Sequence, residues 1–118
     1  VEKHINLDKE LLELAAKAAG IEGEWSRWHQ SYGDLWVEGL NTGGPILWNP
    51  LTDDGDALRL AVKLGLLIDA TRGIFAGVRY SSENGYDVWL YEPLNNDPYA
   101  ATRRAIVRAA SEIGRGME

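Results

Sequence analysis

The stretch from Trp48 to Leu66 constrains this chain most, because it sets a turn, a helix start and a helix stop in one run. Asn49-Pro50 ends whatever precedes it: proline lacks a backbone N–H and biases the residue before it toward extended backbone. Thr52 or Asp53 then caps a helix that runs to Leu64, and Gly65 is its stop. Asp53, Asp54 and Asp56 lie in the first turn, where the helix dipole favours negative charge. The spacing assigns Ala57, Leu58, Ala61, Val62 and Leu64 to the apolar face. Just upstream, Ile46-Leu47-Trp48 reads as a short strand.

The same signals divide the rest of the chain. Asn6 or Asp8 caps a first helix to Ala19, with Leu11, Leu12, Leu14, Ala15, Ala18 and Ala19 on its apolar face and Gly20 as its stop. Two short strands, near Trp25–His29 and Leu35–Glu38, flank a turn at Tyr32-Gly33-Asp34, and Asn41-Thr42-Gly43-Gly44-Pro45 is a loop. Strands follow at Leu66–Ala70, Ile74–Tyr80 and Tyr86–Glu92. Ser82-Glu83-Asn84-Gly85 makes a hairpin between the last two, since Asn-Gly tolerates positive φ. Asn96 or Asp97 caps a third helix with Pro98 in its first turn and Ala101, Thr102, Ala105, Ile106, Ala109 and Ile113 in one stripe. This order predicts a single α+β domain over residues 1–118. Its mainly antiparallel sheet has four to five strands, and three helices pack on one face.

At 118 residues the chain is long enough for a core without staples. It has no cysteine, which excludes disulfides and thiolate metal sites. No apolar run approaches the roughly 20 residues of a membrane span, and the opening Glu2-Lys3-His4 lacks the apolar core of a secretory signal. The net charge of −6 disfavours general nucleic-acid binding, which needs a basic footprint. That charge is uneven: the part before Arg59 is strongly acidic and the remainder is close to neutral.

Catalytic motifs are missing from the sequence. There is no Gly-x-Ser-x-Gly elbow, no His-Glu-x-x-His and no Walker loop. The two histidines are His4, near the terminus, and His29, beside Trp28 with no partner carboxylate close in sequence. Asp53, Asp54 and Asp56 lack the alternation and the late glutamate of a calcium loop, so helix-start rules account for them better than a metal does. No cofactor or metal is expected.

Five tryptophans exceed what a small core demands. Trp36 and Trp89 fall in alternating strands and are assigned to the core. Trp25 and Trp28 flank Arg27, and Trp48 precedes the Asn49-Pro50 corner. An aromatic plane beside a cation suits stacking of a flat ring. Arg103, Arg104 and Arg108 lie on the third helix, where Arg104 and Arg108 are neighbours on one face and suit a bidentate phosphate clamp; surface ion pairing is the alternative.

The runs Trp48–Leu66 and Asp97–Ala110, together with the opening Leu11–Gly20, resemble small uncharacterised proteins of tailed phages and prophages. The likeness is weak from Trp25 to Gly44 and from Thr71 to Glu92. It implies a phage accessory protein in the host cytoplasm and brings no catalytic assignment. Combined with the residue chemistry, it leads to the expectation of an anti-defence sponge. Such a protein holds a host nucleotide-derived immune signal without turning it over. Trp25, Trp28, Trp48 and Tyr99 would stack on bases, and Arg103, Arg104 and Arg108 would hold phosphates, at a homo-oligomer interface in one arrangement. The alternative is an acidic inhibitor that presents Glu22, Glu24, Asp34 and Glu38 to a basic surface of a host protein. A signal hydrolase with His29 as base ranks third.

Overall fold

Alternating small and apolar residues give the last helix two sides to bury, and it organises the molecule. A computed structural model describes residues 2–30 and 35–117. Its elements are α1 (Glu2–Ala19), β1 (Glu24–His29), β2 (Trp36–Asn41), α2 (Asp54–Leu64), β3 (Leu67–Arg72), β4 (Phe75–Ser81), β5 (Asp87–Pro93) and α3 (Pro98–Arg115). One side of α3 packs on the antiparallel sheet β3-β4-β5, and the helix also packs against α1 and α2. Ala105, Ile106, Ala109 and Ala110 of α3 share the core with Leu12 and Ala15 of α1, Ala57 and Leu60 of α2, and Val78 of β4.

The α+β class holds, but there are two sheets rather than one of four to five strands. β1 and β2 form a separate antiparallel ribbon. The expected strand at Ile46-Leu47-Trp48 shrinks to one bridge, in which Leu40 and Trp48 exchange backbone hydrogen bonds of 2.9 Å. Pro45 on one side and the Asn49-Pro50 corner on the other leave no room for a ladder. Gly39 permits this approach: a Cβ there would stand 2.6 Å from the Trp48 carbonyl oxygen. Nor do all three helices lie on one sheet face, since α3 carries the three-stranded sheet and α1 packs mainly on α3. The turn expected at Tyr32-Gly33-Asp34 lies outside the described residues.

Several local expectations need correction. α1 begins at Glu2, so neither Asn6 nor Asp8 is its cap. The buried side of α2 is Ala57, Leu60 and Ala61, with Leu58 and Val62 exposed, because α3 meets only one narrow side of this short helix. In the β4–β5 hairpin Gly85 supplies the positive φ; its N–H donates to the Ser82 carbonyl at 2.9 Å, closing a tight turn. Trp36 is 56% exposed and Trp89 is half-buried, so neither is a core residue. Strand alternation explains Trp89: Val78 and Leu90 point to α3, which sends Trp89 to the opposite face.

The starts of α2 and α3 follow the sequence. Asp53 accepts from the Asp56 N–H at 2.8 Å, and Asp97 from the Ala100 N–H at 3.0 Å with Pro98 in the first turn. Gly65, at φ 66°, closes α2. Asp97→Ala is therefore expected to cost about 1 kcal/mol. A thermal melt should show the midpoint falling by about 4 °C, and an unchanged midpoint would mean the cap contributes nothing.

Candidate functional site: an acidic, tryptophan-lined cleft

The β1–β2 ribbon has two faces. Its register pairs Trp25 with Leu40, Arg27 with Glu38 and His29 with Trp36, so these six side chains share one face. Leu40 is buried and Trp25 packs against the core, which anchors the ribbon at one end. Toward the other end the face opens to solvent. The Arg27 guanidinium lies 4.7 Å from the centre of the Trp36 ring, and His29 meets that ring edge-on at 4.9 Å.

This face forms one wall of a cavity of about 420 Å³. Trp25, Arg27, Trp36 and Glu38 line it from the ribbon, Asp8 from α1, and Leu51 and Thr52 from the corner after Pro50. A second cavity of about 500 Å³ adjoins it. Trp48, Asp53, Asp56, Arg59 and Gln30 line that one, and Val37, Glu38, Asn49 and Thr52 belong to both. The two form a single cleft divided by the Asn49 corner.

Asn49 holds that corner. Its side-chain amide donates to the Glu38 carbonyl at 2.8 Å and its side-chain oxygen accepts from the Leu51 N–H at 2.9 Å. Its own N–H donates to an Asp56 carboxylate oxygen at 3.0 Å. Asp56 also pairs with Arg59 at 2.8 Å. Asp54 pairs with Arg103 at 2.6 Å. Of the three clustered aspartates only Asp53 caps the helix through its side chain; the other two bind neighbouring segments. Among the described residues no group of three or more His, Asp or Glu is arranged to hold a metal ion.

The seven residues singled out for ligand binding do not converge. Trp25 and Trp48 line the two halves of the cleft. Trp28 is opposite Val37 on the other face of the ribbon. It does not flank Arg27 in space, because adjacent residues of a strand point to opposite faces; the cation stacks on Trp36 across the ribbon instead. Tyr99 and Arg103 line a separate, mainly apolar cavity of about 490 Å³ between α2, β3 and α3.

The arginines go to three places. Arg103 donates to the Leu51 carbonyl at 2.8 Å as well as to Asp54, Arg104 pairs with Asp8 at 3.1 Å, and Arg108 pairs with Glu92 and donates to the Tyr91 carbonyl. Each guanidinium thus already has a carboxylate. Away from the cleft, burial and then the nearby Glu112 carboxylate push the Tyr80 phenol above its ordinary range.

Sequence reasoning missed Asn49 and Trp36 as site residues. The aromatic-Asn-Pro triplet was the available signal for Asn49. Trp36 carried none, because its exposure depends on where the ribbon lies. Comparison with family models, with curated proteins and with solved structures finds no match. The α+β fold and the acidic cleft are therefore the basis for reading the function.

Proposed function

We propose that this chain is a non-enzymatic phage accessory protein that acts in the host cytoplasm by binding a basic surface of a host protein through the acidic, tryptophan-lined cleft. The observation that carries the reading is the source of the cleft: α1, the ribbon and the start of α2 build it, and they come from the strongly acidic part of the chain. Asp8, Glu38, Asp53 and Asp56 line it beside Trp25, Trp36 and Trp48, and outnumber the two cations there, Arg27 and Arg59. Carboxylates steer and pair with Lys and Arg of a partner, and tryptophan faces accept guanidinium groups. The phage setting comes from the sequence resemblance. Among the described residues no helix is long and apolar enough to cross a membrane.

A labelled oligo-arginine peptide tests this reading. Binding is expected at low salt and should weaken strongly between about 50 and 300 mM salt. Reversing Asp8 and Glu38, which line the cleft, to lysine should abolish it. Reversing Glu83 and Asp87, remote in sequence and on the β4–β5 hairpin, should have much less effect. Equal losses from both sets would mean that net charge alone binds the peptide, and the cleft reading would fail.

Nucleotide capture is the rival reading, and the Arg27–Trp36 stack is what favours it. It requires Arg103, Arg104 and Arg108 to exchange their carboxylates for phosphate. Arg104→Glu should abolish nucleotide capture and spare peptide binding. A melting midpoint raised by several degrees with a cyclic nucleotide, the ligand recovered intact and the effect lost in Arg104→Glu, would favour the sponge.

A further inference from the structure

The cleft holds a guanidinium of its own against a tryptophan face, and the geometry around it shows what the site recognises. Arg27 of β1 stands directly opposite Glu38 of β2, and Trp36 lies two residues before Glu38 on the same ribbon face. The Arg27 guanidinium rests 4.7 Å from the centre of the Trp36 ring. Its Nε is 4.0 Å from a Glu38 carboxylate oxygen, beyond hydrogen-bond reach. The two side chains of that pair are 60% and 54% exposed. A loose, solvated ion pair of this kind contributes little. Arg59, the cation in the adjoining half of the cleft, is held far more closely, by Asp56 at 2.8 Å. Of the two cations that line the cleft, Arg27 is the one placed to leave.

We infer that the cleft selects arginine over lysine, and that Arg27 keeps the place that an arginine of the partner takes. The inference rests on the cleft reading above and adds which cation the partner must present. A guanidinium is planar and weakly hydrated, so it lies flat on an indole, and its fork donates two parallel bonds to one carboxylate. Trp36 offers the plane and Glu38 the carboxylate. An ammonium is a compact, strongly hydrated point charge, which gains less from the ring and cannot form the fork. Arg27 uses only half of this arrangement: it stacks on Trp36 and stays out of bonding distance of Glu38. An incoming arginine that makes both contacts displaces Arg27 to solvent at small cost. Asp8, Asp53 and Asp56 on the surrounding walls draw the basic residues beside it. A nucleotide base could take the ring, but it would bring its phosphate beside the Glu38 carboxylate, so charge favours the arginine-rich segment.

Oligo-arginine and oligo-lysine peptides of equal length, titrated into the whole chain at one salt concentration, test the assignment. The parent should bind the arginine peptide about tenfold more tightly. Arg27→Ala, which vacates the ring, should tighten the arginine peptide by about fivefold and the lysine peptide by less. Trp36→Leu should bring the two peptides to similar affinity, chiefly by weakening the arginine one. In NMR, the Arg27 side-chain signals, displaced by the Trp36 ring current in the free protein, should move to ordinary positions as the arginine peptide saturates. Equal affinity of the parent for both peptides would overturn the selectivity and leave the cleft reading standing, whereas binding of neither would overturn both. The proposal also fails if Arg27→Ala weakens the arginine peptide or leaves its Kd unchanged, or if the Arg27 signals keep their displaced positions in the saturated complex. Adenosine monophosphate moving those signals while the arginine peptide does not would overturn it in favour of a base on Trp36. The NMR measurement uses the unaltered chain, so the test stands even where a variant fails to fold.

Discussion

Replacing Gly114 by alanine is expected to lower the unfolding midpoint by about 10 °C. Two effects oppose each other. Alanine is the better helix former, by about 1 kcal/mol. Against that, a Cβ on Gly114 would stand 2.0 Å from the Leu14 carbonyl oxygen and 2.8 Å from its carbonyl carbon. These are backbone atoms of α1, so no rotamer change relieves the contact, and α1 must shift by more than an ångström along a crossing made of Ala15, Ala19, Ala109 and Ala110. Overpacking of this kind costs about 3 kcal/mol or more, and the clash wins. For a domain of this size the net loss of about 2–3 kcal/mol corresponds to the stated shift. Gly55→Ala is the control. Its nearest neighbours are side-chain ends, the Arg59 guanidinium at 3.1–3.2 Å and the capping Asp53 Oδ2 at 3.2 Å, which need give by only a few tenths of an ångström. Slight pressure on the cap offsets the gain in helix propensity, so that variant should melt within a few degrees of the parent midpoint. If Gly114→Ala behaved in the same way, the close crossing of α1 and α3 would be refuted.

This crossing also marks the limit of what the sequence discloses. Signals confined to a few residues were legible: Asp53 and Asp97 as caps, Pro98 in a first turn, Gly20 and Gly65 as stops, and the three strands of the β3-β4-β5 meander to within a residue or two. Each rests on local geometry that the residue itself dictates. What depends on partners distant in sequence was not legible. Whether Leu58 or Leu60 is buried depends on the side from which α3 approaches α2. Whether Trp36 and Trp89 enter the core depends on which face of each sheet a helix covers, and α3 covers only one. Arg103, Arg104 and Arg108 read as a cluster along the helix, yet they reach Asp54, Asp8 and Glu92, which three separate segments supply. The cleft was half legible. Trp25 and Trp48 were named, but the ribbon face that joins Arg27 to Trp36 follows from a register that the sequence leaves open.

Asn49→Ala should be the most damaging polar substitution, with a loss of about 2–3 kcal/mol and a midpoint about 10 °C lower. Asn49 is 9% exposed, and its side chain satisfies two backbone groups at once, the Glu38 carbonyl and the Leu51 N–H. Alanine would leave both without that partner in a partly buried corner, and the cost of such orphaned groups exceeds the modest net value of the bonds themselves. Asn49→Asp separates the two contributions. It keeps an acceptor for Leu51 but loses the donor to Glu38, and it sets a second carboxylate near Asp56. It should therefore destabilise at least as much as alanine at neutral pH. Asn49→Ser, which is shorter and holds one donor and acceptor, should recover only part of the loss. The corner also separates and shapes both halves of the cleft. Oligo-arginine binding should accordingly weaken in Asn49→Ala even well below its melting midpoint, whereas Asp97→Ala, at the start of α3 and outside the cleft lining, should lose stability and keep its affinity. If Asn49→Ala melted with the parent, the corner would not be held by this side chain. If it melted early but bound normally, the cleft would not depend on the corner.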